Sequence, residues 1–350
     1  MSSHIEISGR RIGPGEAVYV IAELSANHGQ SLEQAIEIVH AARHAGADAV
    51  KLQTYTPATL TIDSSKEAFR VGRGTPWEGR TLHDLYQEAF MPWEWQPKLK
   101  EISNDLGMHL FSSAFDFSSV EFLEQMDVPA YKIASFELVD IPLIRKAAKT
   151  HKPLIISTGM GTLSEVEEAV SVAVSAGASG VALLKCTSAY PAKPEEMHLR
   201  TIPHLAATFG LPVGLSDHTL GIAVPVTAVA LGACIIEKHL TLTRDTPGPD
   251  SAFSLEPHEF KAMVDAVRAA ERSLGAVQYG VNEREAGSRV FRRSLFVTRD
   301  MRAGEEFTAE NMRSIRPGHG LPPKYYEEIL GRRAVRDIDR GTPLRWDLLA

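Results

Sequence analysis

Cysteine is nearly absent: the 350-residue chain has two, Cys186 and Cys234, each inside an apolar run and with no C-x-x-C spacing. That argues against a disulfide framework or a cysteine-built zinc site and reads the pair as reduced core thiols. No lysine/arginine block occurs either. The 37 basic residues are interspersed with 44 acidic ones, giving a formal charge of −7, which speaks against a nucleic-acid partner. No uninterrupted apolar run reaches the roughly 18–20 residues of a membrane-crossing helix, and residues 1–13 lack the apolar stretch of a leader peptide. A cytoplasmic protein with no membrane partner is therefore expected. Also missing is a glycine-rich phosphate turn after the first strand-like run, where Glu23-Leu24-Ser25-Ala26-Asn27-His28 stands instead. An open dinucleotide-binding sheet would normally show one.

What is present is a pattern that counts to eight. Short β-branched apolar runs lie at 17–23, 48–55, 108–115, 130–135, 153–159, 180–187, 212–219 and 234–242, separated by amphipathic stretches such as SLEQAIEIVHAARHAG and LSEVEEAVSVAVSAG. Near-continuous apolar strands alternating with helices predict a parallel sheet covered on both faces. Eight such units closing on themselves predict a (β/α)8 TIM barrel over 1–278. The connection at 57–107 is longer than a crossover helix needs, and it carries Trp77, Trp93 and Trp95. Long loops are often lids, although each tryptophan could equally pack the excursion onto the barrel. A polar stretch at 279–290 reads as a linker. The remainder, 291–350, reads as a small β-rich domain with an internal echo, RDMRAG at 299–304 and RDIDRG at 336–341.

In a parallel barrel, chemistry belongs at the C-terminal ends of the strands. Polar residues stand at nearly every one: Glu23, Lys51 and Gln53, Ser112 and Ser113, Lys132 and Ser135, Ser157, Tyr190, Ser216 and His218, Glu237 and His239. Two buried lysines converging among hydroxyls need a compensating anion, supplied either by a substrate or by structural carboxylates. The acidic net charge is no obstacle, because a few lysines focused in a cleft dominate locally. Strand alternation places Ser216 and His218 on one face with Asp217 turned away, and Glu237 and His239 on one face of the next strand. Two imidazoles on neighbouring strands can be a core pair or can hold a divalent metal with open positions. Cationic anchors, a Lewis acid and a glutamate together point to carbon–carbon bond formation. A Schiff-base aldolase using Lys132 or Lys185 is the metal-free alternative.

At these residues the sequence resembles the sialic acid (nonulosonate) synthase family. The resemblance rests on IAELSANHGQ (21–30), AGADAVKLQTY (45–55), YKIASFEL (131–138), ISTGMGTLSEVEEAV (156–170), LLKCTSAYPA (183–192), GLSDHTLG (214–221) and IEKHLTL (236–242). The tail, through RRSLFVTRDMRAGEEFTAENMRSIRPGHGL (292–321), resembles the family's SAF, or antifreeze-like, domain. The resemblance implies a reaction in which C3 of phosphoenolpyruvate attacks the C1 aldehyde of an N-acetylated sugar. Water then adds at C2, and phosphate leaves by C–O cleavage.

It also implies roles for individual residues. His218 and His239 would hold Mn²⁺ or Mg²⁺, and Glu23 would position or protonate at the reacting centre. Lys51, Ser113, Lys132, Ser135, Ser157 and Ser216 would contact phosphoenolpyruvate. Gln53, Tyr190, Glu237, Asp250 and Arg316 would serve the amino sugar, with Arg316 reaching from one subunit of a domain-exchanged homodimer into its partner.

Departures from the N-acetylmannosamine-using pattern concern the sugar. KLQTYTPATLTID and the later GTPWEGRTLHDLYQEAFMPWEW resemble the pseudaminic acid branch of the family, whose sugar is 2,4-diacetamido-2,4,6-trideoxy-L-altrose. Ser188 stands where mannosamine users tend to carry asparagine. N-acetylneuraminate and legionaminate synthesis are the neighbouring alternatives. A non-catalytic binding role for the tail is more remote, given a barrel with a full set of polar strand ends.

Overall fold

A computed structural model describes residues 2–72, 77–246 and 248–350. It divides into two compact units, Met1–Gly275 and Ala276–Ala350. The eight predicted runs become the parallel strands β1 (Tyr19–Glu23), β2 (Ala49–Thr54), β3 (His109–Ala114), β4 (Tyr131–Ile133), β5 (Leu154–Ser157), β6 (Val181–Cys186), β7 (Val213–Asp217) and β8 (Ile235–His239). They form a closed barrel in sequence order, with β8 pairing back onto β1. Strand side chains facing the helix layer form one continuous apolar core, and the helices Leu32–Ala45, Leu163–Ser175 and Pro257–Leu274 bury one face each against it. Helix starts are fixed locally. Ser31 caps the Gln34 amide, and Thr162 forms a reciprocal capping box with Glu165.

A hairpin precedes the barrel and closes its N-terminal end. Ile5–Ile7 pairs with Arg10–Ile12 across Ser8-Gly9, both at positive φ (47° and 78°), as a two-residue type I′ turn requires. Ile5 packs against Gly180 at the foot of β6. Arg10 reaches Asp48 at 2.5 Å, and Arg268 meets the same carboxylate at 3.0 Å. With this end plugged, the accessible mouth is the C-terminal one.

The long excursion after β2 holds a short helix at Pro57–Leu60 and a second at Leu82–Ala89, before the crossover helix Gln96–Asp105 returns the chain to β3. Its tryptophans divide. Trp93 packs on Phe122 and bonds the Tyr55 carbonyl, and Trp95 packs on His28, so both anchor the excursion to the barrel. Trp77 turns to the mouth instead. No helix among the described residues is long and apolar enough to cross a membrane.

The last barrel helix ends at Gly275 (φ 50°), where the two units divide. Residues 279–290 open the second unit and carry the short helix Glu283–Ala286, followed directly by a 3-10 helix, Gly287–Phe291. In that unit's sheet β9 (Ser294–Val297) pairs antiparallel with β10 (Met312–Ile315) around a separate core that includes Leu295, Phe307, Met312 and Leu344.

The sequence echo is a structural two-fold. Met301 and Ile338, both third in their repeats, exchange reciprocal backbone hydrogen bonds of 2.9 Å. Asp337 accepts from the Ala303 amide and Asp300 accepts from the Arg340 amide, each at 2.8 Å. Equivalent residues of the two halves thus make equivalent bonds, which is why the echo survives in so short a domain.

Candidate active site

The barrel mouth opens into a cavity of about 410 Å³ lined by residues from nearly every strand end. Twelve of the fourteen expected site residues line it: Lys51, Gln53, Ser113, Lys132, Ser135, Ser157, Tyr190, Ser216, His218, Glu237, His239 and Asp250. Glu23 lies just beneath, fully buried. Arg316 belongs to the C-terminal unit, directly after β10. Ser112 is on the other face of β3, where its hydroxyl meets Thr54 at 2.6 Å; it belongs to the wall and not to the cavity.

The two lysines differ. Lys51 Nζ is 2.5 Å from Glu23 Oε2 and 3.6 Å from Glu237 Oε1, and donates to Ser113 Oγ at 3.2 Å. Lys51 is therefore carboxylate-paired. Lys132, 1% exposed, donates to Ser157 Oγ at 2.7 Å and to the Ile133 carbonyl at 2.9 Å. Among the described residues no carboxylate comes within ion-pair distance of it, and burial lowers its pKa. A buried ammonium in that position favours a bound anion. Lys185, the other Schiff-base candidate, points away from the cavity and donates to the Cys186 carbonyl at 2.6 Å and to Thr187 Oγ1 at 3.1 Å.

Two carboxylates around one ammonium cannot both ionise cheaply in so buried a place. Glu237 is opposed by burial, but Lys51, Lys132 and the Ser216 hydroxyl at 2.8 Å hold its pKa low. Burial pushes Glu23 up to about 7 against Lys51, with the Glu237 charge adding to the rise. Glu23 has an ion contact with Lys51 but no well-angled hydrogen bond on either oxygen. It is the member of the pair suited to carry a proton near neutrality.

The histidine rings sit 5.3 Å apart, centroid to centroid. His218 Nδ1 is 2.9 Å from the Thr187 carbonyl, which can only accept; Nδ1 therefore carries a hydrogen, and Nε2 is the nitrogen left to face a cation. His239 Nδ1 is buried without a partner. Burial, then the neighbouring His218 and lysine charges, hold its pKa far below the usual histidine range, so the ring is neutral. Burial opposes charge on His218, but Cys186, the Thr187 carbonyl and Asp217 raise its pKa above the usual histidine value. A divalent cation would take the place of that ring's second proton, so the two imidazoles fit such an ion. Among the described residues no group of three or more His, Cys, Asp or Glu forms a complete protein cage. The remaining positions would fall to substrate and water.

On the sugar side, Gln53 Nε2 donates to Ser25 Oγ at 2.9 Å, and Ser25 in turn donates to Asp250. Tyr190 stacks on His218 at 4.5 Å, and Trp77 covers Tyr190 at 5.8 Å while its Nε1 donates to the Pro249 carbonyl at 3.1 Å. Ser135 and Ser188 share a 2.8 Å hydrogen bond against Gly159, whose positive φ (44°) and contact with Ser135 leave no room for a Cβ.

Sequence reasoning passed over Glu137, which lines the cavity with one buried oxygen lacking a hydrogen bond; burial pushes its pKa up to about 7. It sits two residues after Ser135 within the quoted YKIASFEL segment, the signal that could have found it. Cys186, a core thiol by its apolar sequence context, also lines the cavity, 4.0 Å from His218 Nδ1.

The chain is similar to known proteins over most of its length. The NeuB family model matches residues 38–279, and the SAF domain matches residues 292–350. The chain is 47% identical over 328 residues to a pseudaminic acid synthase of Campylobacter jejuni, covering 94% of this chain and 95% of that protein. It is 44% identical over 329 residues to the pseudaminic acid synthase of Helicobacter pylori, covering 94% and 96%. A crystal structure of N-acetylneuraminic acid synthetase from Leptospira borgpetersenii, in complex with citrate, superposes with a TM-score of 0.73 at 31% identity, covering 82% of this chain and 95% of that one.

Proposed function

The chain belongs to the NeuB family, and from that premise we propose that it condenses phosphoenolpyruvate and water with 2,4-diacetamido-2,4,6-trideoxy-L-altrose to give pseudaminic acid and phosphate. The observation that carries the phosphoenolpyruvate half is Lys132: a buried ammonium, bonded among the described residues only to neutral oxygens, at the end of a cavity that Lys51, Ser113, Ser135 and Ser157 also line. Carboxylate and phosphate oxygens satisfy those donors together, and charge-assisted bonds of this kind are the strong ones.

The chain's own residues then divide the work. The lysines and serines hold phosphoenolpyruvate with its C3 facing the sugar side of the cavity. Glu23, protonated near neutrality, stands ready to give a proton to the aldehyde oxygen as it becomes an alkoxide. Ser216 and Lys51 keep Glu237 charged and fixed beside the histidines. Gln53, Ser25 and Asp250 form a linked set of polar groups for sugar hydroxyls or amide groups. His218 and His239 would hold Mn²⁺ or Mg²⁺, which when bound supplies Lewis-acid polarisation of the aldehyde.

The choice of a trideoxy sugar is supported by the wall beneath the excursion. Leu60, Val71, Trp77, Leu82, Leu85 and Ala89 present an apolar surface to the cavity. A sugar methyl is at ease there, whereas a hydroxymethyl group would bury an unpaired hydroxyl at a cost of roughly 1–3 kcal/mol. The two pseudaminic acid synthases at 44–47% identity speak for the same sugar.

The test is phosphate release from phosphoenolpyruvate with each candidate sugar. We expect turnover with the trideoxy sugar at higher kcat/KM than with N-acetylmannosamine, abolished by EDTA and restored by Mn²⁺. Preference for N-acetylmannosamine would overturn the sugar assignment. Full activity in excess EDTA would overturn the metal.

A further inference from the structure

Strands β7 and β8 carry the two histidines, yet the backbone stops tying these strands together just before those residues. The last register pair between them is Asp217 opposite Lys238, one residue short of His218 and His239. Beyond it the chains part. The His218 carbonyl accepts from the Ala192 amide in the loop after β6, while the Leu240 amide donates to the Glu23 carbonyl on the other neighbour, β1.

A side-chain cluster on the outer face of the barrel spans this gap. Lys238 Nζ lies 2.6 Å from Asp217 Oδ2, with both side chains fully buried. Asp217 Oδ1 accepts from the Thr219 amide at 2.9 Å and from its hydroxyl at 2.8 Å. Lys238 Nζ also donates to the Thr219 carbonyl. His218 is thus bracketed, through the residues before and after it, by groups bound to the residue that precedes His239.

Stability alone gives no reason for charges here. A fully buried ion pair is often matched or exceeded in stability by apolar residues of similar volume. What charges offer is direction: the ammonium is held by two acceptors at fixed angles, and those acceptors belong to the strand end that bears the other histidine. Groups that orient metal-binding histidines typically matter 10- to 100-fold in metal affinity.

We propose that Asp217, Lys238 and Thr219 are positioning residues that set the separation and orientation of His218 and His239, and so the site's affinity for a divalent cation. The inference rests on the reading of the histidines as metal ligands. The Thr187 carbonyl orients the His218 ring; the cluster fixes the two backbones that carry the rings.

The experiment is Mn²⁺ binding by calorimetry and by the electron paramagnetic resonance of the bound ion, on the full chain, for the unaltered protein, His218→Ala, and the double variant Asp217→Asn/Lys238→Met. The double variant keeps an acceptor for Thr219 while cutting the tie between strands. We expect it to stay folded, with Tm unchanged or raised, and to bind Mn²⁺ roughly 10- to 100-fold more weakly, with an altered spectrum of the bound ion. Unchanged affinity in a folded double variant overturns the inference alone. Absence of His218-dependent Mn²⁺ binding in the unaltered protein overturns the metal reading and this inference with it. Should the double variant not fold, Lys238→Gln decides. Its amide is uncharged and shorter than the lysine arm, so it is expected to weaken binding at least about threefold, and an unchanged affinity overturns the inference.

Discussion

Glu23 and Lys51 meet at 2.5 Å inside the barrel, Glu23 fully buried and Lys51 nearly so at the cavity floor. Attraction to the ammonium favours the carboxylate; burial and the nearby Glu237 charge favour the acid, and together they prevail, raising the pKa from 4.5 to about 7. Between those two values the folded protein keeps a proton that the unfolded chain has released. The stabilisation from this group is therefore complete below about pH 4.5 and is lost as pH rises through about 7. Glu23→Gln removes the titration. Relative to the unaltered protein, the variant should gain unfolding free energy between about pH 5 and pH 8, on the order of 1–3 kcal/mol, measured by denaturant unfolding across that range. A difference independent of pH would mean that Glu23 stays ionised on Lys51 throughout. The comparison cancels the opposite slope from His239, whose depressed pKa costs stability as pH falls.

At the scale of elements, the excursion after β2 combines an anchor and a cover. Trp93 and Trp95 fasten it to the barrel, and Trp77 brings its indole over Tyr190 with a hydrogen bond to Pro249. Removing the cover should act on the sugar and leave the anion subsite alone, since Lys132, Ser157 and Ser113 lie on the far strands β3 to β5. Aromatic contacts of this kind are worth about 0.5–1.5 kcal/mol. Trp77→Ala is accordingly expected to raise the sugar KM roughly 3- to 10-fold, with the phosphoenolpyruvate KM within about twofold, in steady-state phosphate-release kinetics. Equal rises in both would place Trp77 in general folding of the mouth.

For the whole molecule, the two units have separate apolar cores, and neither core cluster includes a residue of the other. Each has the means to hold its own fold. Deleting residues 276–350 should therefore leave the barrel folded and its Mn²⁺ binding intact, as circular dichroism and calorimetry would report. The family resemblance gives Arg316 a part in sugar use, so both the deletion and Arg316→Ala should lower kcat/KM for the sugar by roughly tenfold or more, the magnitude of a lost charged contact. Unchanged sugar kinetics in both variants would remove Arg316 from the site.

Periodicity made the barrel legible, because eight apolar runs separated by amphipathic helices leave a parallel sheet few ways to bury both faces. Alternation likewise determined that Ser216 and His218 point inward and Asp217 outward, since side-chain direction in a strand is a local property. The echo RDMRAG and RDIDRG was readable for the same reason: it records bonds made at equivalent positions of two halves. What the tertiary structure alone decided are relations between distant segments. Only barrel closure brought Glu23 and Lys51 together and left Lys132 with no carboxylate partner among the described residues. Only packing separated Trp77 from Trp93 and Trp95, placed Glu137 and Cys186 on the cavity wall, and paired Asp217 with Lys238 one residue below the histidines. Sequence spacing fixes which face a side chain takes; distance across a barrel depends on closure, register and the plugged lower end, which no single strand encodes.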